Sequence, residues 1–213
     1  MLKETDYIIY LDSLLKGDKR ECIKTVNRLL DEGINVRQIY TKVIQRSMYR
    51  VGSLWEKNRL AIPNERIASD ITCSIVDLIY PQIVKKKNGM SILITCLDKE
   101  HHSIGARIIS DYFEMNGWKS TFLGANVPCV EILTYIKKTK PHVVGISSNF
   151  YLNIARLIKL IEDIKSQNPL QEIIIGGQIF IHWDENIIKK YNNVKYISSM
   201  KMLEKYIKQK EKQ

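Results

Sequence analysis

The sequence predicts a helical bundle over residues 1–88. It predicts an α/β domain over 89–213: a flavodoxin-like five-stranded parallel sheet with helices on both faces. Three observations carry this. Apolar residues recur at helical spacing as far as Val84, whereas beyond Gly89 short apolar runs alternate with helical stretches. A polar, basic break, Lys85-Lys86-Lys87-Asn88-Gly89, separates the two patterns. Five strand-like runs, each followed by a helical pattern, suit the flavodoxin-like order better than a full dinucleotide-binding double unit.

In the first half, Tyr7-Ile8-Ile9-Tyr10-Leu11 with Leu14-Leu15 forms the apolar face of a first helix that stops at Gly17. Asp18 is an N-cap for a second helix carrying Cys22, Ile23, Val26, Leu29 and Leu30, which stops at Gly33. The spacing of Ile39, Val43, Ile44, Met48, Val51 and Leu54-Trp55 predicts a third helix from Val36 to Lys57. A fourth begins near Pro63, a favoured first-turn residue, and runs through Ile67, Ile71, Ile75, Val76, Leu78 and Ile79 towards Val84. Four helices with short connections make a bundle.

In the second half the strands are Met90 to Cys96, Ser120 to Leu123, His142 to Ser148, Glu172 to Ile175 and Val194 to Ile197. A helix spans Ala106 to Asn116, another follows Gly176-Gly177, and a terminal helix begins near Met200. His142 beside Pro141, and His182, read as structural; Trp118 and Trp183 read as packing residues.

Length and composition exclude several classes. The chain has 213 residues, of which 45% are hydrophobic, an ordinary globular balance. No apolar run approaches the ~18 residues of a membrane span, and the N-terminus has no signal-peptide pattern, so a cytoplasmic protein is expected. Cys22, Cys73, Cys96 and Cys129 show no zinc-binding spacing and read as reduced, mostly buried thiols. The net charge of +10 reads as a lysine-rich solvated surface, because no DNA-binding motif accompanies it.

The strand-to-helix turn Glu100-His101-His102-Ser103-Ile104-Gly105 concentrates the chemistry. It follows the first strand, Ser147-Ser148-Asn149 ends the third, and Gly176-Gly177 ends the fourth. In a flavodoxin-like sheet these converge at the carboxyl edge, where ligands bind. Glycines there let a backbone approach a guest. His102 is a candidate metal ligand, with Glu100 two residues earlier to fix its tautomer. A bare zinc or iron ion needs three or four protein ligands. One suffices when a macrocycle supplies the rest, which points to a tetrapyrrole-type metal cofactor.

These residues resemble the cobalamin (vitamin B12) binding domains. Their Asp-x-His-x-x-Gly motif appears as Glu100-x-His102-x-x-Gly105, their Ser-x-Leu as Ser147-x-Asn149, and their Gly-Gly as Gly176-Gly177 after 26 intervening residues. Leu123-Gly124-Ala125-Asn126-Val127-Pro128 is similar to the family's Leu-Gly-x-Asp-Val-Pro. The resemblance implies cobalamin, bound with its own benzimidazole base displaced and His102 as lower cobalt ligand. It implies Glu100 as orienting partner, and Ser147, Gly176 and Gly177 along the displaced tail. The neighbouring His101 is expected to face outward.

The helical half resembles the four-helix cap of corrinoid methyl carriers, methionine synthase and light-sensing B12 regulators. The photoreceptor group's Trp-x9-Glu-His motif is matched by Trp55 and Glu65, with Arg66 in place of histidine. The resemblance extends over about residues 5 to 205. Three departures stand out: Glu100 for aspartate, Asn149 for leucine, and Arg66, a permanent cation, for a titratable imidazole.

The expected function is a cobalamin-binding sensor or regulator, because Trp55, Glu65 and Arg66 match a cap that reads the upper ligand. The alternative is a corrinoid carrier of a methyltransferase, shuttling a methyl group on cobalt between partner enzymes. A third reading is a domain that has lost cobalamin or binds another group instead, such as haem or a linear tetrapyrrole. The upper ligand (adenosyl, methyl or hydroxo) stays open, and turnover by the isolated chain is not expected. With no helix-turn-helix segment before the bundle, the expected routes of action are a partner protein or homo-oligomerisation.

Overall fold

The computed structural model describes residues 1–83, 85–181 and 184–211. The chain divides into two compact units, Met1–Val84 and Lys85–Gln213.

Local capping sets the helix ends of the first unit. Helix α1 (Glu4–Leu15) opens with a cap in which Asp6 accepts the Lys3 N–H at 2.8 Å. The chain then turns at Gly17, whose φ of 72° suits a residue without a Cβ. Helix α2 (Lys19–Asp31) starts at Asp18, whose carboxylate accepts the Glu21 N–H at 3.0 Å; such a cap contributes about 1 kcal/mol. The third helix is segmented: α3 (Val36–Gln38), a π-helical stretch Ile39–Gln45, and α4 (Arg46–Glu56). Its wider turn departs from the uniform helix expected, and both adjacent pairs Ile39-Tyr40 and Val43-Ile44 are buried along it. Helix α5 (Ile62–Ile79) carries Pro63 in its first turn and gives way to a 3-10 turn, Tyr80–Gln82. Pro81 there has no N–H to continue the helix. The expected end at Val84 lies outside the described residues.

The core of this unit includes Tyr10, Leu14, Cys22, Val26, Leu29, Ile44, Val51, Ile71, Ile75 and Ile79. One expectation is corrected. Ile8 and Ile9 are 55% and 45% exposed, while Tyr10 and Leu14 are buried. Residues four apart share a helix face, so choosing Tyr10 and Leu14 turns positions 8 and 9 away.

In the second unit the strands are β1 (Ser91–Cys96), β2 (Lys119–Phe122), β3 (Val143–Ser147), β4 (Glu172–Gly176) and β5 (Val194–Tyr196). They pair in the order β2-β1-β3-β4-β5, all parallel. Helices α6 (Ile104–Glu114), α7 (Cys129–Thr139), α8 (Ile154–Gln167) and α10 (Met200–Lys210) accompany the sheet. Ile92, Leu93 and Ile94 are all buried, as are Ile173, Ile174 and Ile175. Such near-continuous burial is the mark of strands covered on both faces. Leu93, Val144, Ile146, Ile173 and Ile175 pack with Ile132 of α7 and with Leu157, Leu160, Ile161 and Ile164 of α8. Each such side chain contributes about 1.5–3 kcal/mol by leaving water.

Trp118 is fully buried, its ring edge-on to Phe113 at 5.0 Å. His142 Nδ1 accepts the Ser91 N–H at 3.1 Å, tying the start of β3 to β1. After β4 the expected helix is replaced by a 3-10 turn, Ile179–Ile181, and a single turn α9 (Asn186–Lys189). Asp184 accepts the Asn186 N–H at 2.9 Å, a side-chain turn that restarts the chain. His182 and Trp183 lie outside the described residues. Among the described residues, no helix is long and apolar enough to cross a membrane.

Candidate functional site

Strand register brings three loops to one row. Cys96 at the end of β1 sits opposite Ser147, and Ser147 opposite Gly176. The Glu100–Gly105 turn, Ser147-Ser148-Asn149 and Gly176-Gly177 therefore leave the sheet side by side at its carboxyl edge. The segment after β2 joins them. Leu123 donates its N–H to the Ile94 carbonyl at 2.9 Å, and Gly124, at a φ of 99°, accepts the Cys96 N–H at 3.1 Å. Asn126 then clamps the turn after β1: its Oδ1 accepts the Lys99 N–H at 2.8 Å, and its own N–H donates to the Glu100 carbonyl at 2.9 Å.

Glu100 is the centre of this network and is fully buried. Its Oε1 accepts the His102 backbone N–H at 3.1 Å and lies 3.1 Å from His102 Nδ1. Its Oε2 accepts the Asn149 N–H at 2.8 Å and the Phe150 N–H at 3.4 Å. A side chain one methylene longer than aspartate thus spans two loops. Burial pushes the Glu100 carboxyl up, but hydrogen bonds from His102 and from the Asn149 N–H outweigh it and hold it below the ordinary 4.5. An ionised carboxylate only accepts, so His102 carries its proton on Nδ1 and Nε2 offers the lone pair a metal would take.

The His102 side chain is 48% exposed, so the imidazole reaches out of the network. His101 is exposed, as expected. Ser103 is the N-cap residue of α6 without a side-chain cap bond, and Ile104 opens the helix. At Gly105 a Cβ would meet nothing within 4 Å. Ser147 is half-buried beside Cys96, whose thiol burial pushes up to about 12. Asn149 reaches across, its Nδ2 donating to the His102 carbonyl at 3.4 Å and its Oδ1 accepting the Gln178 N–H at 3.3 Å.

The two glycines differ. At Gly176 a Cβ would meet nothing within 4 Å. At Gly177, with a φ of 96°, it would lie 2.1 Å from the Ser148 carbonyl oxygen. Gly177 is therefore demanded by the protein's own backbone, and only Gly176 has the open flank expected of a ligand approach. Trp55 is half-buried near the end of α4 in the helical unit. Glu65 accepts the Ser69 hydroxyl at 2.8 Å within α5, and Arg66 is exposed.

Sequence reasoning missed Phe150 as part of this region, and it gave Ser148 and Asn126 no individual role. The Ser148 side chain is fully buried, and its hydroxyl has no hydrogen-bond partner among the described residues. The Phe150 ring stands 5.0 Å from the His102 ring at 67°. Ser148 and Asn126 carried a signal only through their places in the Ser147–Asn149 and Leu123–Pro128 segments, and Phe150 carried none.

The region fits a corrinoid. Among the described residues, no three His, Cys, Asp or Glu side chains gather as a bare ion would require. One imidazole, oriented by a buried carboxylate, is the donor set a macrocycle-bound metal needs. The open flank of Gly176 and the orphaned Ser148 hydroxyl lie on the same row of strand ends.

The comparisons agree. A B12 binding domain model matches residues 90–198, and a second B12 binding domain model matches residues 10–80. Trimethylamine corrinoid protein 1 of Methanosarcina acetivorans is 21% identical over 183 residues, covering 83% of this chain and 85% of that protein. The solved monomethylamine corrinoid protein of Methanosarcina barkeri has a TM-score of 0.83 at 15% identity, covering 97% of this chain and 99% of that one. A chain of the methanol:cobalamin methyltransferase complex of the same organism has a TM-score of 0.53 at 14% identity, covering 99% of this chain and 81% of that one. This chain belongs to the family of B12-binding domains, and its cofactor is cobalamin, a cobalt corrinoid.

Proposed function

We propose that this protein is the corrinoid-carrying subunit of a methyl-transfer system, with His102 as the lower cobalt ligand. The observation that carries the reading is the likeness to methylamine corrinoid proteins over both halves of the chain. The sensor reading rested on Trp55, Glu65 and Arg66. It gives way because relatives that cover about four fifths of the chain are trimethylamine and dimethylamine corrinoid proteins, Arg66 departs from the photoreceptor motif, and Glu65 is engaged by Ser69.

When bound, cobalamin supplies a cobalt atom that accepts a methyl group and yields it again. The chain's residues hold and orient it. Glu100 keeps the proton of His102 on Nδ1 and so presents Nε2. Ser147 and the open flank of Gly176 would hold the displaced tail, while Gly177 lets its own backbone pass close to that of Ser148 beside them. His101, Ser103, Ile104, Gly105, Leu123, Gly124 and Asn149 form the rim. Methyltransferase-type proteins are the partners this role requires.

The test is electron paramagnetic resonance of the full-length protein loaded with hydroxocobalamin and reduced to its cobalt(II) form. Coupling to one protein nitrogen, altered by 15N-histidine and lost in His102→Ala, is expected. An unchanged signal in His102→Ala refutes the ligand assignment. Selective adenosylcobalamin binding, with a green-light-triggered change in molecular size, would refute the carrier reading and restore the sensor.

A further inference from the structure

The Glu100 carboxylate meets His102 through Nδ1 at 3.1 Å, and the His102 side chain is half exposed. Metal coordination needs the ring plane set as well as the tautomer. The Phe150 ring meets the His102 ring at a centroid distance of 5.0 Å and an interplanar angle of 67°, the edge-to-face geometry that aromatic rings favour.

Phe150 is itself held in place. Its N–H donates to Glu100 Oε2 at 3.4 Å, and its carbonyl accepts the Asn153 N–H at 3.0 Å in the turn that opens α8. The preceding Asn149 is fixed by its N–H to the same carboxylate oxygen and by its side chain between the His102 carbonyl and the Gln178 N–H. The carboxylate that orients one edge of the imidazole therefore also anchors the backbone that carries the ring against its face or edge. Phe150 is 41% exposed.

We propose that Phe150 is a positioning residue for the His102 imidazole, setting the plane of the ring that coordinates cobalt. This rests on the assignment of His102 as lower ligand. Its counterpart in chemistry is the corrinoid cobalt; Phe150 acts on it through the imidazole.

Two readouts on the full-length protein test it. In the apo protein, the ring protons of His102 are followed by NMR. In the protein loaded with cobalt(II) cobalamin, the fraction showing histidine-nitrogen coupling is measured. Phe150→Leu is expected to move the His102 ring protons towards the values of a solvent-exposed histidine. It is also expected to weaken imidazole coordination by about two- to tenfold, the range an aromatic pair supplies. Phe150→Tyr retains the ring and is expected to restore both signals. Identical shifts and coupling in Phe150→Leu and the parent overturn the proposal, as do equal losses in the Leu and Tyr variants. A parent protein with no histidine-nitrogen coupling overturns the ligand assignment and the proposal with it. The apo shifts distinguish that failure, since they report the Phe150 contact without cobalamin.

Discussion

Substituting alanine at the two adjacent glycines should separate a residue the fold needs from one the cofactor needs. In Gly177→Ala the new Cβ would lie 2.1 Å from the carbonyl oxygen and 2.7 Å from the carbonyl carbon of Ser148, at a φ of 96°. Ser148 cannot yield freely. Its N–H donates to Gly176 at 3.1 Å, and its carbonyl accepts the Ile179 N–H at 3.2 Å. Positive φ costs a residue with a Cβ about 1–2 kcal/mol, and loosening two backbone hydrogen bonds adds about 1 kcal/mol each. A total of about 3–4 kcal/mol corresponds to a fall of about 6–16 °C in melting temperature for a chain of this size. In Gly176→Ala the Cβ meets nothing within 4 Å. The apo protein should then melt at the parent temperature or slightly above it, because alanine reduces unfolded-state freedom. Its cobalamin affinity should fall about tenfold or more, as a methyl group enters the space beside the tail. Calorimetry of the apo proteins resolves the transitions of the two units, and cobalamin titration gives the affinities. A Gly177→Ala protein melting within a degree or two of the parent would refute the steric argument. Full cobalamin affinity in Gly176→Ala would refute the placement of the tail.

Two further outcomes follow from the electrostatics. Burial pushes the Asp6 carboxyl up, but the Lys3 N–H and the Arg28 guanidinium, at 2.7 Å, hold it below its ordinary 3.8. Its stabilisation is complete above that value and is lost as pH falls through the lower folded-state value. Asp6→Asn should therefore melt lower than the parent at neutral pH, with the gap closing on acidification; a gap independent of pH would refute this. Burial pushes the Cys22 and Cys96 thiols up to about 12, and both are fully buried. Cys73 and Cys129, half-buried, should react first with a thiol reagent at mildly alkaline pH, and Cys22 and Cys96 only on unfolding. Four equal rates would contradict that order.

Periodicity in the sequence was enough to read the element order, because hydrophobic spacing and capping residues act over a few positions. Asp18, Gly17, Pro63 and the five apolar runs mark elements found within a few residues of their expected ends. The turn Glu100–Gly105 was legible too, since a histidine, a carboxylate and a glycine at set spacing are local chemistry. What spacing does not encode is which atoms meet across loops. Register alone places Cys96, Ser147 and Gly176 in a row, and only that row shows Glu100 bridging to Asn149 and Phe150. The exposure of Ile8 and Ile9 was likewise decided by which face α1 buries, a choice made by the neighbouring helices. The unequal glycines state the difference most plainly. As letters, Gly176 and Gly177 are the same; in three dimensions one has an open flank and the other has a carbonyl where a Cβ would be, because the β3 loop crosses the end of β4 at that point.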